Sequence, residues 1–359
     1  MTTPDVSPAE TPAAPMPTLS VLDLIPVRSG QSTGEALRAS TALARTADEL
    51  GYHRYWVAEH HNTTSVASTN PPVLIAMLAS ATQRIRLGSG GMMLPNHSPL
   101  VVAEQFSLLE AAFPGRIDLG LGRAPGTDAL TRFVLRGQEM EDADQAVARF
   151  PQYVQDIAML MRPEGVEISY GQRRQGLRAT PNAVSVPTTW LLGSSDYSAA
   201  LAAQLGLPYV FAHHFFGEGT AQAIARYRDN YQPSEAFPEP TTFLTVNASV
   251  AETADEAFRM AIPHIQSMIA LRTGGPFNAQ RTVDEAEEIG FPDAHLSMVE
   301  QIREKWIIDD TTNAQRRIAE FAAEHGVDEV MVQPVGGALA SDPIDAAPSR
   351  EKTLRLLAS

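Results

Sequence analysis

RIRLGSGGMMLPNHSPL, residues 84–100, and FPGRIDLGLGRAPGTD, residues 113–128, decide how the rest of the chain is read. A helix-like stretch ending at Ala112 lies between them. Each segment holds a short apolar strand that runs out into glycine: Gly88, Gly90 and Gly91 after the first, Gly120, Gly122 and Gly126 after the second. A glycine removes a side chain, so a flat or anionic group can approach the backbone closely. Arg123 adds a planar guanidinium fork suited to an anion.

The same grammar recurs outward from this stretch. Leu19–Ile25 is a short apolar strand ending at Pro26. Ser32 or Thr33 caps the next helix, with Glu35 in its first turn. Leu43, Ala47 and Leu50 repeat on one face, Gly51 stops the helix, and the strand HRYWVAEH (53–60) follows. Helices ending at Gly206 and Gly326 lead into LPYVFAHH (207–214) and VDEVMVQP (327–334). Helix, terminal glycine, short apolar strand is the pattern of parallel α/β units. The predicted strands are Leu19–Ile25, Arg54–Ala58, Arg86–Leu94, Ile117–Leu121, Thr189–Gly193, Tyr209–Ala212, Thr242–Val250 and Glu329–Val332. Eight of them alternating with helices predict a (β/α)8 TIM barrel; six would have favoured a doubly wound open sheet.

The barrel is expected to be one domain over residues 18–359, after a disordered Pro/Thr/Ala-rich tail at residues 1–17. Two segments depart from the repeat. Residues 164–187 read as a hairpin or excursion, and the acidic stretch 274–310 reads as a rim lid or a surface elaboration. Helices Pro71–Ala81 and Leu100–Ala112 are too apolar for an outer ring exposed to water. In the second, Val101, Leu108 and Ala112 lie on one side and Val102, Phe106 and Leu109 on the other, which favours a homodimer interface over cover by an insertion.

Composition narrows the function. The 359 residues carry 27 Lys and Arg against 42 Asp and Glu, a net charge of −15. That balance argues against nucleic acid or an anionic membrane as partner. The absence of cysteine excludes disulfides, thiolate nucleophiles and cysteine metal sites. No apolar run approaches the ~20 residues that span a bilayer. The N-terminus lacks the regions of a signal peptide, so a cytoplasmic location is expected.

Glu59, His60 and His61 fall at the C-terminal end of the second predicted strand, where barrel enzymes keep reactive groups. Adjacent strand residues face opposite ways, so the two histidines should not chelate one metal, and no metal site is expected. His60 shares a face with Trp56 and Ala58; either a proton-transfer group or a structural strand-end histidine fits. His213–His214 poses the same question. Ser194 or Ser195 opens a helix whose free N–H groups form an anion site, although an N-cap needs no ligand. The glycines after the third strand equally suit a kink at a barrel corner. Four such features at the ends of strands two to five share one mouth, and together they suit flavin mononucleotide (FMN). Pocket-lining side chains are expected from residues 274–310 and from near Asp23, His97 and His213.

The sequence resembles the bacterial-luciferase-like flavin monooxygenases, barrel enzymes that use FMN or the deazaflavin F420. The resemblance covers about Leu19 to Gln333 and is carried by WVAEHHN (56–62), LGSGGMMLPNHSPLVVAEQF (87–106), PGRIDLGLGRAPGTD (114–128) and WLLGSSDYSA (190–199). It is closest to the single-chain, alkanal-monooxygenase-like subgroup. The resemblance implies that His60, beside Glu59, is catalytic. It implies that Gly90–Gly91 form a non-proline cis peptide under the flavin ring. Gly122 and Arg123 would flank the ring and reach the phosphate, and Ser194, with Ser195 next to it, would bind the phosphate. Gly193 stands where luciferase itself has an acidic residue, and Gly122 replaces a cysteine, so light emission does not carry over. The implied reaction uses reduced FMN and O2 on a small, aldehyde-like substrate, with NAD(P)H acting through a separate flavin reductase. An F420-dependent oxidoreductase and a non-catalytic flavin-binding protein are the alternatives.

Overall fold

The computed structural model describes residues 14–124, 126–136, 147–276 and 278–359. Most of the expected N-terminal tail, Pro125 and Phe277 therefore lie outside the described residues.

Local signals set the elements. The helix Thr33–Glu49 begins with a reciprocal cap: Ser32 Oγ accepts from the Glu35 N–H, and the Glu35 carboxylate accepts from the Ser32 N–H at 2.8 Å. Gly206 and Gly326 end the helices Asp196–Leu205 and Thr311–His325 in the left-handed region, at φ 61° and 60°. Leu207 and Val327 then bond back to the Ala202 and Ala322 carbonyls, which turns the chain into the next strand.

Eight parallel strands close a barrel: β1 (Thr18–Asp23), β2 (Arg54–Val57), β3 (Arg86–Ser89), β4 (Ile117–Gly122), β5 (Thr188–Gly193), β6 (Tyr209–Phe211), β7 (Thr242–Ala251) and β8 (Glu329–Pro334). Val21 of β1 lies opposite Tyr55 of β2 on one side and Val332 of β8 on the other, which closes the ring. Alternation then divides the side chains. Leu22, Trp56, Trp190, Val210, Phe243 and Met331 fill the interior. Val21, Tyr55, Leu191, Leu244 and Val330 face the helical layer. Inside, Trp56 and Trp190 meet Phe243 edge-on, at ring separations of 5.2 and 4.9 Å.

The N-terminal end of the barrel is sealed by charge. Arg54 pairs with Asp118 at 2.9 Å and Glu329 at 2.7 Å, and Arg86 pairs with Asp118 at 2.5 Å. The Arg54 guanidinium lies 4.8 Å from the Trp190 ring centre, capping the aromatic cluster.

Several boundaries differ from the sequence reading. β1 ends at Asp23, not Ile25; Ile25 has φ 50°, and its N–H donates to Asp23 Oδ1 at 2.7 Å. The expected strand 86–94 is broken after Ser89 by a cis Gly90–Gly91 peptide. Met92–Met93 then re-pairs with Leu121 and Gly122 of β4. Gly88 and Gly120 make room for protein and not for a ligand: a Cβ on Gly88 would strike Trp56 and Asp118, and one on Gly120 the Ser89 carbonyl.

Residues 166–170 and 173–177 form the antiparallel hairpin of the first departure. The second is a packed elaboration. Gln280 is bonded through its backbone to Val27 and Ser29, at 2.8 and 2.7 Å. Val299, Ile302 and Trp306 share a core with Ile265, Met268 and Ile269 of the helix Ala254–Arg272. Ile307–Asp310 adds an unforeseen parallel strand beside the end of β7. Val102, Phe106 and Leu109 are buried, while Val101 and Leu108 are 47% and 58% exposed. Among the described residues, no helix is long and apolar enough to cross a membrane.

Candidate functional site

The C-terminal ends of the strands surround a cavity of about 180 Å³. His60, Gly90, Gly91, Gly122, Arg123, Ser194 and Ser195 all line it; Glu59 does not. Strand alternation explains the split. Trp56, Ala58 and His60 point inward, and Glu59 points out.

Glu59 is fully buried behind the mouth. It takes hydrogen bonds from the Met93 N–H at 2.8 Å and from His61 and His97, each at 2.8 Å. Burial pushes its carboxyl up, but the bonds from His97, His61 and Met93 outweigh burial and hold it below the usual carboxylate range. Glu59 thus ties β2 to the segment after Gly90–Gly91 and fixes Met93 at the cavity wall. His97 is consequently a partner of Glu59 and does not line the cavity.

His60 is held by its backbone N–H on the Ser68 carbonyl at 2.8 Å. Its Nδ1 is buried with no hydrogen-bond partner among the described residues. Burial lowers its pKa, and His61 lowers it further against the pull of Glu59, so the imidazole is neutral at pH 7.

Gly90, Gly91 and Gly122 present bare backbone to the cavity. A Cβ on Gly91 would run into Leu192, one on Gly90 would press on Leu22 and Trp56, and one on Gly122 would meet Met93 Sδ at 2.9 Å. The hydrocarbon walls come from Leu22, Leu24, Val210 and Met331.

The opposite rim suits an anion. Ser195 precedes the helix Asp196–Leu205 with its hydroxyl making no cap bond, so the first N–H groups stay open beside Ser194 and Ser198. Arg123 stacks on the Tyr197 ring at 4.2 Å, and among the described residues no carboxylate pairs with it. An unneutralised arginine at a helix start, in a chain of net charge −15, fits a phosphate.

Thr245 was missed as a cavity residue, and His214, which the sequence did not separate from His213, lines the cavity. His214 Nδ1 bonds Thr245 Oγ1 at 2.6 Å, and burial drops its pKa to about 3, with His213, His264 and His60 adding to the shift. Val210, Ala212 and His214 all line the cavity, so an extension of the two-residue period would have selected His214 over His213. His213 instead bonds Thr220 at 2.8 Å away from the cavity. Asp23 also lies off it, paired with Arg350 at 2.5 Å, although its neighbours Leu22 and Leu24 line the wall. Of residues 274–310, Asn278 and Gln280 reach only a second, smaller cavity. Among the described residues, no group of three or more His, Asp or Glu is placed to hold a metal.

The family model described as luciferase-like monooxygenase matches residues 18–304. A luciferase-like monooxygenase of Escherichia coli K12 is 40% identical, over 87% of this chain and 90% of its own. The N-acetyl-S-alkylcysteine monooxygenase of Bacillus subtilis is 36% identical, over 72% of this chain and 75% of its own. Among solved structures, apo-MsnO8 superposes with a TM-score of 0.81 at 32% identity, covering 96% of this chain and 97% of that one. Two more distant structures share the fold. One is the oxygenating constituent of 3,6-diketocamphane monooxygenase from Pseudomonas putida with FMN, at TM-score 0.68 and 18% identity over 96% and 97% of the two chains. The other is an F420-dependent secondary alcohol dehydrogenase, at TM-score 0.66 and 14% identity over 95% and 99%.

Proposed function

The chain belongs to the luciferase-like monooxygenase family, and from that premise we propose that it oxidises a small organic substrate, an aldehyde in the first instance, with reduced FMN and O2. One observation carries the reading. A single mouth gathers bare glycine backbone, a neutral histidine whose Nδ1 has no partner among the described residues, and an arginine with no carboxylate among them, beside an open helix start. FMN is preferred over F420 because the two relatives named above, at 40% and 36% identity, bear monooxygenase names, whereas the F420 enzyme shares only the fold.

When bound, reduced FMN supplies the electrons that activate oxygen. Arg123, Ser194, Ser195 and the helix N–H groups hold its phosphate. The bare backbone of Gly90, Gly91 and Gly122 would receive the ring. Leu22, Trp56, Val210 and Met331 keep water from the reacting edge. The His60 imidazole takes up or returns a proton at the cavity wall, and Glu59 acts behind it by fixing Met93.

No second nucleotide fingerprint occurs in the sequence, so a separate reductase delivers the reduced flavin, with both proteins in the cytoplasm. A second copy of the chain covers the exposed Val73, Met77, Val101 and Leu108 on the two apolar helices. The test titrates the protein with FMN and with F420, then measures oxygen uptake with photoreduced FMN and a panel of aldehydes. FMN binding in the micromolar range with substrate-coupled oxygen uptake supports the reading. Binding of F420 alone, or FMN binding without coupled uptake, overturns it.

A further inference from the structure

Beside the main cavity lies a second of about 40 Å³, room for one small polar group and not for a ring. Leu24, just beyond β1, lines both. The walls of the smaller one are largely apolar, with Pro26, Val66 and Val335 beside Leu24, and the polar groups gather in one cluster: Gln333 at the end of β8, His264 and Ser267 of the helix Ala254–Arg272, and Asn278 and Gln280 of the following segment. His264 sits between two amides. Its Nδ1 is 3.4 Å from Gln280 Nε2, and its Nε2 is 3.4 Å from Gln333 Nε2. Burial keeps this imidazole neutral, with a pKa near about 4, so it has one N–H and one lone pair to offer.

The consequence falls on Gln333, which is only 5% exposed. Whichever way its amide is turned, one of its two polar atoms bonds His264 and the other is left over. As placed, the left-over atom is Oε1, buried and without a partner among the described residues. A buried acceptor of this kind costs free energy until a donor reaches it. A carboxylate brings no proton to Oε1. The cation at this wall, Arg350, is already bonded to Asp23 and to the Pro334 carbonyl. Neutral His264 accepts from only one amide; with Gln333 Nε2 as that donor, the His264 Nδ1–H meets Gln280 Oε1 once that amide is turned, which leaves Gln280 Nε2 and the Asn278 amide as the donors beside it.

We propose that this smaller cavity is a subsite for an amide group at one end of the substrate, whose other end enters the main cavity past Leu24. The amide N–H donates to Gln333 Oε1, and the amide oxygen accepts from Gln280 or Asn278. The inference rests on the proposed function only in treating the main cavity as the place of reaction. It makes Gln333 a specificity residue: a site built to receive an N–H discriminates against an isostere that lacks one.

The test uses the full chain without cofactor and two probes of equal length, N-hexylacetamide and hexyl acetate, titrated by calorimetry. The amide is expected to bind about 10-fold more tightly, the effect of one neutral hydrogen bond. Gln333→Met, similar in shape but unable to accept, should bring the amide to the level of the ester and leave the ester unchanged. Gln333→Glu, which keeps an acceptor, should retain the preference. Equal affinities in the wild type overturn the proposal without any variant needing to fold, and so does a preference that survives Gln333→Met. Since no flavin enters the titration, a protein that binds neither FMN nor F420 but prefers the amide would sink the proposed function and leave the subsite standing.

Discussion

The two ends of the barrel treat charge in opposite ways. At the N-terminal end Arg54, Arg86, Asp118 and Glu329 neutralise one another, with Asp118 fully buried. At the C-terminal mouth, among the described residues, Arg123 has no carboxylate and His60 Nδ1 has no hydrogen-bond partner. A fold stabilised for its own sake would satisfy both ends. The lesson is that unmet polar demand marks the end where a ligand completes the structure.

The contrast breaks most severely at Asp118. Asp118→Ala leaves Arg54 buried without one of its two carboxylates, and unfolding in urea should show a loss of about 3–5 kcal/mol. Retained stability would mean that the sealed end is not a structural charge cluster. His60→Ala should leave the urea midpoint nearly unchanged and flavin binding intact. Its signature should be roughly 100-fold slower substrate oxidation, with oxygen diverted to free peroxide; unchanged coupling in a peroxide assay removes His60 from the chemistry.

Arg123→Ala should weaken FMN binding by roughly 10- to 100-fold, the range of a charge-assisted contact, with little change in stability. A fluorescence titration reads this directly, and a large stability loss instead would make Arg123 structural. The last effect is graded with pH. His213, His214 and His264 are held by burial to about 4, about 3 and about 4. Their folded values lie below the unfolded one, so the unfolded chain binds protons first as pH falls. Stability should therefore begin to decline below about pH 6.5, by up to roughly 1.4 kcal/mol per pH unit for each such group. A urea midpoint constant from pH 7 to pH 5 would contradict that.

Much of the barrel was legible because its signals are local. The cap at Ser32, the terminal glycines at 206 and 326, and the inward Trp56–Ala58–His60 face depend only on chain neighbours and on the period of two. What failed to read through was set by partners distant in sequence. Gly88 and Gly120 looked like ligand clearance, yet they accommodate Trp56 and the Ser89 carbonyl across the barrel. Glu59 looked like a companion of His60, but it faces His97 and Met93, more than thirty residues away. Asp23, His97 and His213 each carry a titratable group near a strand end, and each is occupied by a bond the sequence does not announce.

The amino-acid order alone determined the alternation of strands and helices, the eight strands of the barrel, and the mouth at which the glycine loops, His60, Arg123 and Ser194 assemble, because periodicity and capping act within a few residues. Only the tertiary structure decided which polar groups are satisfied and which are left open. That is settled by side chains brought together from opposite parts of the barrel, as with Glu59 and Met93 or Gln333 and His264, and no local pattern encodes those meetings.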